Sequence, residues 1–252
     1  MLVLPARDVA ALRPWFTPER PGPTIWSHCL VTGHGRCRVD RWPDPRVVQV
    51  ELPGGNHALR GDPAALTSDD LADVAGFVEA PPSWWPVLRQ LDPGTAVWDR
   101  VVAILPDDVT AKPARSVDVR RLGPDDTAGL AGLSPEIAWI HETWGGPAGL
   151  AAAGVGRVAF VDGRPVSVAV PFFVGECHED IGVVTERSHR KRGLSTACAT
   201  AVVADIRARG HRPTWTTAPD NTSSLAVAAR LGFTHVRDDV LYAVSTRIPV
   251  DD

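Results

Sequence analysis

The segment from Ile181 to Thr196, IGVVTERSHRKRGLST, constrains the fold more than any other part of the chain. An apolar, strand-like run ends at Thr185, four of the six residues from Arg187 to Arg192 are basic, and Gly193 precedes a helical pattern that opens at Leu194 or Ser195. A strand, turn and helix of this kind belong to an α/β fold, and the turn has a chemical consequence. The first N–H groups of a helix have no intrahelical partner and lie at the positive end of its dipole, so a glycine turn leading into a helix can cradle a phosphate or pyrophosphate. The rest of the chain does not share this charge. Its 252 residues carry 26 Lys and Arg against 30 Asp and Glu, a net −4, which argues against general affinity for nucleic acid or anionic membranes. Anion binding is expected to be local, at this loop.

From Val117 onward strand and helix patterns alternate. Val117 to Leu122 reads as a strand, Pro124-Asp125-Asp126 opens a helix, and a second helix runs from about Ser134 to Trp144. Strands follow at 155–161 and 165–174, joined by the turn signal Asp162-Gly163, and then at 179–185. After the long helix from Leu194 to about Arg209 come a strand at 214–217, a helix at 222–231 and a last strand near 240–244. The order β-α-α-β-β-β-α-β-α-β predicts a mixed α/β (α+β) sheet. Residues 1 to about 113 differ in texture. They hold 15 of the 23 prolines and six of the nine tryptophans, with short strands at 36–40 and 47–51 and a buried strand at 101–105. Thr67 to Asp70 reads as a cap before Leu71, Val74 and Phe77 at helical spacing. The polar run ending at Arg115 is the expected linker, dividing the chain into a smaller N-terminal α/β domain, 1–113, and a second domain, 114–252.

Cys29, Cys37, Cys177 and Cys198 show no metal-ligand spacing and read as buried thiols in a reducing compartment. Met1 to Ala10 carry Arg7 and Asp8 where a signal peptide needs an apolar core, and no run approaches the ~18 apolar residues of a membrane span. A cytoplasmic protein is expected. Cys177, His178 and Asp180 would have to ligate from both faces of one strand, so no metal is expected.

The basic loop does not match GxxxxGK[ST], and Gly154-Val155-Gly156 lacks the third glycine of the dinucleotide fingerprint. Arg190-x-x-Gly193-x-Ser195 instead resembles the R/Q-x-x-G-x-G/A signature of the GNAT superfamily, the acyl-CoA-dependent N-acyltransferases. One helix and one strand later, Asn221 to Phe233 resembles the second GNAT signature, an Asn that opens a helix ending in Leu231-Gly232-Phe233. Trp144-Gly145-Gly146, Gly154-Val155-Gly156, Ile181 to Thr185 and Pro213-Thr214-Trp215 are similar to the branch typified by a zwittermicin-resistance acetyltransferase. Arg38-Val39-Asp40, Asp44-Pro45 and Gly54-Gly55 resemble motifs of that branch's extra N-terminal region. The strand-turn-strand-helix order of residues 1–113 is similar to a second, degenerate copy of the fold. It lacks both signatures and is assigned no cofactor.

The resemblance implies a mostly antiparallel GNAT sheet flanked by helices, with acetyl-CoA as cosubstrate. Arg190, Lys191, Arg192, Gly193, Leu194, Ser195 and Thr196 would meet the pyrophosphate. Val183, Val184 and Thr185 would pair with the pantetheine arm, and Asn221 and Ser224 would lie near its thiol end. An acidic base is expected at the start of the motif strand, Glu179 or Asp180, with His178 third. GNAT enzymes commonly place a tyrosine seven residues after the Asn to protonate the departing thiolate. That position is Ala228 here, which leaves Tyr242, the only tyrosine, or water. Trp139, His141, Glu142 and Trp144 would line the acceptor pocket, with Trp139 and Glu142 sharing a helix face suited to a cationic amine. The expected activity is N-acetylation of a small amine, an antibiotic or other amino metabolite, by a monomer or homodimer. The alternatives are a non-catalytic acyl-CoA sensor and a protein-amine acetyltransferase.

Overall fold

The computed structural model describes residues 1–111 and 117–249. Its strands are β1 (Leu2–Val3), β2 (Arg36–Val39), β3 (Val47–Leu52), β4 (Asn56–Gly61), β5 (Gly76–Glu79), β6 (Ala96–Ile104), β7 (Val119–Arg121), β8 (Arg157–Val161), β9 (Arg164–Val174), β10 (His178–Thr185), β11 (Arg212–Thr217) and β12 (Thr234–Val244). The helices are α1 (Ala6–Val9), α2 (Ile25–Thr32), α3 (Trp85–Leu91), α4 (Thr127–Ala131), α5 (Pro147–Ala153), α6 (Leu194–Ala208) and α7 (Thr222–Leu231), with short 3-10 turns between them.

The chain forms two compact units whose limits differ from the expected domains. Unit 1 is Met1–Glu19, Ile25–Arg100 and Asp238–Asp252; unit 2 is Arg20–Thr24 and Val101–Arg237. The expected boundary at 113 lies outside the described residues. Unit 1 orders its strands β1-β2-β3-β4-β5-β12 and unit 2 orders its own β7-β8-β9-β10-β11-β6. In each, the fourth and fifth strands are parallel, and the pairings of the remaining neighbours within the unit are antiparallel. The two halves of the sequence therefore repeat one topology, and each unit's sixth strand is supplied by the other half of the chain.

Unit 2 buries one sheet face under α6 and α7, where Ile181, Cys198, Val202, Ile206, Trp215 and Leu231 meet. The other face packs against Leu130, Ile140, Trp144 and Leu150. Unit 1 has its own core of Val47, Leu59, Leu71, Val78, Trp84 and Leu88. Tyr242 belongs to this core. It is 4% exposed, pairs with Val78 across β12 and β5, and packs its ring on Trp85 at 5.4 Å, so the tyrosine expected as a candidate acid lies among the packing side chains of unit 1.

Turn chemistry read from sequence reappears locally: Asp162 and Gly163 take φ of 49° and 74° between β8 and β9. The expected helix after Thr67 does not extend. Asp70 accepts from the Thr67 N–H and hydroxyl, but the turn stops at Leu71, and Phe77 lies in β5. Gly76, at φ 122°, lies where a Cβ would strike the carbonyl of Gly55, and only glycine fits that approach. Three cysteines are buried as expected, whereas Cys177 is exposed.

Candidate active site

The site is built on a fork in the sheet of unit 2. β10 and β11 pair in parallel through three residues, His178 with Arg212, Glu179 with Pro213 and Asp180 with Thr214. Beyond Asp180 they part: β10 continues along β9 to Thr185, while β11 continues along β6 to Thr217. The divergence has a local cause. Asp180 stands opposite Phe173 and Ile181 opposite Pro171, so Phe172 is an extra residue in β9, and such a bulge bends the ladder. Past the fork, no strand among the described residues pairs with β10 on its β11 side.

Both diverging strands lead into helices. β10 passes through Arg187, Arg190, Lys191 and Arg192, all exposed, to Gly193, which takes φ 78° and begins α6 without a side-chain cap. Among the described residues, no atom beyond the adjoining chain lies within 4 Å of where a Cβ at Gly193 would stand. Lys191 and Arg192 make no ion pair among the described residues. Glu186 pins the start of this loop, accepting from the N–H and hydroxyl of Ser134 at 3.0 and 2.5 Å. β11 leads to α7, whose Asn221 side chain accepts from the Ser224 N–H at 2.8 Å; the Ser224 hydroxyl in turn accepts from Trp215 Nε1 at 2.9 Å. A crevice at the carboxyl ends of parallel strands, flanked by helix N-termini, is where α/β folds bind anionic ligands.

The pleat of β10 sorts its side chains. His178, Asp180, Gly182 and Val184 face the 3-10 helix Ala138–Trp144, which replaces the expected α-helix ending at Trp144. Glu179, Ile181, Val183 and Thr185 face α6. Glu179 is therefore on the wrong side for a base acting from the helix 138–144 side. It is 1% exposed and gripped by Arg209, whose Nε and Nη2 donate at 2.9 and 2.6 Å; His211 Nδ1 lies 2.9 Å from it, off the hydrogen-bond direction. Its role is a buried ion pair tying β10 to the end of α6. Asp180 lies at the fork on the other face, buried, with the hydroxyls of Thr214 and Thr216 donating to one oxygen at 2.7 and 2.9 Å.

The side chains of Val183 and Thr185 pack inward, Thr185 bonded to the Ser167 hydroxyl at 2.8 Å, and Val184 joins the core beneath the 3-10 helix, so only the backbone of these three is available to a ligand. Leu194 is likewise core, while Ser195 and Thr196 are half-buried in the first turn of α6. Trp144, expected in the acceptor pocket, is core and donates Nε1 to the Pro171 carbonyl at 2.9 Å. Trp139 is 38% exposed, edge-on to Phe172 at 5.2 Å, with its ring above Gly182. His141 and Glu142 are half-buried, and Nδ1 of His141 is buried without a partner. Burial pushes the Glu142 carboxyl above its ordinary range and the His141 imidazole below its own. Among the described residues no group of three or more His, Cys, Asp and Glu side chains is placed to hold a metal, and no helix is long and apolar enough to cross a membrane.

A family model described as GNAT acetyltransferase matches residues 127–242. An uncharacterized N-acetyltransferase in the mutA 5′ region of Streptomyces virginiae is 41% identical over 215 residues, 84% of this chain and 90% of that protein. This chain belongs to the GNAT acetyltransferase family. It is an acyltransferase, and acetyl-CoA is the family's acyl donor. The fold agrees: a GCN5-related N-acetyltransferase-like protein from Streptococcus suis superposes with a TM-score of 0.70 at 19% identity, covering 94% of this chain and 98% of that one. A tandem GNAT protein from the clavulanic acid biosynthesis pathway, solved without acetyl-CoA, covers 99% of both chains at a TM-score of 0.55 and 17% identity, in keeping with the repeated topology here.

Unit 1 differs from unit 2 at the corresponding register. Its parallel pairs, Asn56 with Phe77, His57 with Val78 and Ala58 with Glu79, correspond in order to those at the fork of unit 2. Counting on, Arg60 stands where unit 2 has Gly182. Its guanidinium bonds Glu79 at 2.6 Å and lies over Phe16 at 5.0 Å, filling the position. The segment after β4 carries Asp62, Asp69 and Asp70 where the GNAT half carries arginines. Sequence reasoning missed Gly182, Glu186, Thr214 and Thr216. A glycine inside a β-branched strand was the available signal for close approach; the others depend on partners distant in sequence.

Proposed function

We propose that this acyltransferase moves an acetyl group from acetyl-CoA to the primary amine of a small molecule. The observation that carries the reading is the fork: an unpaired strand edge from Ile181 to Thr185, an uncapped helix start at Gly193, the Trp139 ring above Gly182 and the half-buried Glu142 one 3-10 turn after it. These features fit acetyl-CoA. The N–H groups that open α6, with Lys191 and Arg192, suit the pyrophosphate, and the free edge of β10 suits an arm that pairs through amides. Asn221 and Ser224 would stand near the thiol end. The group supplies an activated thioester; the protein supplies position, holding amine and carbonyl together at high effective concentration.

On the acceptor side, Trp139 offers an aromatic face and Glu142 and Asp180 offer negative charge, a combination that favours a cationic, partly apolar amine. The neighbour from clavulanic acid biosynthesis and the resemblance to the zwittermicin-resistance branch are in keeping with an antibiotic or other amino metabolite as acceptor. We take the enzyme to act in the cytoplasm as a monomer or homodimer, on neither nucleic acid nor a membrane. With Ala228 seven residues after Asn221, where the family commonly has a tyrosine, water reprotonates the leaving thiolate. The test is thiol release from acetyl-CoA with kanamycin, glucosamine, spermidine and tryptamine. Amine-dependent release supports the reading; tight acetyl-CoA binding with no release on any amine would count against it.

A further inference from the structure

A base that relieves the acceptor nitrogen of a proton must lie on the amine side of the fork and must not already be engaged. Glu179 faces α6 and has both oxygens held by Arg209. Asp180 faces the 3-10 helix, but it is buried and accepts two hydroxyl donors. Glu142 satisfies both conditions. It follows Trp139 by one 3-10 turn, and residues i and i+3 eclipse in such a helix, so it shares a helix face with the ring that lies above Gly182. Among the described residues it makes no side-chain hydrogen bond or ion pair.

We propose that Glu142 is the general base of acetyl transfer and that Trp139 beside it holds the incoming ammonium against that carboxylate. The assignment rests on the small-amine reading above. The elements packed on this helix leave the carboxyl without a compensating cation. α4 and α5 carry no titratable side chain, β9 carries only Arg164, at its far end, and β10 presents His178 and Asp180 on the shared face, with His141 adjacent in the helix itself. Desolvation is the sole cause that moves Glu142, and it moves the group toward neutral pH, where a carboxylate accepts a proton more readily. In the step, the ammonium gives one proton to a Glu142 oxygen. The nitrogen lone pair then bonds the thioester carbonyl carbon, the C–S bond breaks with its electrons kept on sulfur, and water takes the nitrogen's second proton and supplies one to the sulfur. Glu142, half-exposed, returns its proton to solvent.

The test is the pH profile of kcat/KM for thiol release with the four amines named above in wild type, E142Q, E142D and D180N, with acetyl-CoA affinity measured by calorimetry on the same preparations. E142Q is expected to lose the enzyme's acidic limb and to fall about 10²- to 10⁴-fold, E142D to recover about tenfold of that loss, and D180N to keep the limb. Acetyl-CoA affinity is expected to stay within about threefold, as for a residue outside the pyrophosphate cradle. An E142Q enzyme with the limb intact overturns the assignment, as does acetyl-CoA affinity that falls in step with activity. Wild type that binds acetyl-CoA and acetylates none of the amines defeats the small-amine reading instead, and the assignment with it.

Discussion

The ring of Trp139 closes on Gly182 so tightly that a Cβ at 182 would lie 3.3 Å from Trp139 Cζ3 and 3.1 Å from both Ile140 Cδ1 and Phe172 Cβ. The glycine sets the distance between the 3-10 helix and the sheet at the fork. Gly182→Val is expected to cost about 1–3 kcal/mol by overpacking and to lower kcat/KM for the amine about tenfold by lifting Trp139 and Glu142. Denaturant unfolding and thiol release check both effects. A fully active, fully stable variant would show that this contact positions nothing.

Glu179 and Arg209 form a pair in which only the carboxylate is fully buried. Arg209→Ala leaves that charge without its partner and is expected to destabilise the protein by about 3 kcal/mol, whereas Glu179→Gln, which leaves Arg209 access to water, costs about 1–2 kcal/mol. Turnover of the folded fraction should be unchanged in Glu179→Gln. Lost turnover with an unchanged Tm would return Glu179 to the list of bases.

Tyr242→Phe removes a hydroxyl from the core of unit 1, where the ring packs on Trp85. The expected result is kcat within about twofold of wild type and stability within about 1 kcal/mol, read by steady-state kinetics and thermal unfolding. A large loss of kcat alone would give the tyrosine the acid role that its position argues against.

Asp205 anchors α6 to β8. Burial would raise its pKa from 3.8, but Arg157, donating at 2.7 and 2.6 Å with Arg121 nearby, outweighs burial and lowers it. A carboxylate depressed in the folded state stabilises fully above its unfolded pKa and loses that contribution as pH falls through the folded value. Asp205→Asn should therefore be less stable than wild type at pH 7, with the gap closing as pH drops below about 4. Urea unfolding across that range measures it; a gap independent of pH would mean that packing, not charge, holds the anchor.

Gly193 has φ 78° and open space at its Cβ position, so a substitution there is opposed by backbone strain and not by collision. Gly193→Val is expected to cost about 1–2 kcal/mol and to weaken acetyl-CoA binding more than about tenfold, with Gly193→Ala milder. Calorimetry with acetyl-CoA decides the matter. Unchanged affinity in the valine variant would move the cofactor site away from this loop.

Much of unit 2 was legible because its signals are local. Asn221 caps α7, Gly232 ends it at φ 94°, Gly193 turns into α6, and α7 begins and ends where sequence spacing put it. Unit 1 was less legible: α2, α3, β4 and β5 were missed, and the helix expected through Phe77 was a strand. There the deciding contact, Gly76 against Gly55, joins residues that pattern alone does not connect. α5 was missed as well, since Pro147 to Ala153 is short, lacks polar residues and has its limits set by glycines at positive φ.

Residue order by itself pointed to the basic loop with its glycine turn into α6, to the capped helix α7 and hence to the family, because a cap or a glycine turn is specified by its immediate neighbours. Tertiary structure alone decided which carboxylate is available. Glu179 and Asp180 are adjacent, yet the pleat sends one to Arg209 under α6 and the other to Thr214 and Thr216 at the fork. Glu142, nearly forty residues earlier on the 3-10 helix, is left half-buried, with no side-chain partner among the described residues. The exchange of β6 and β12 was likewise out of reach, since a strand's partner is chosen by the edges the folded sheets present and not by the strand's own alternation.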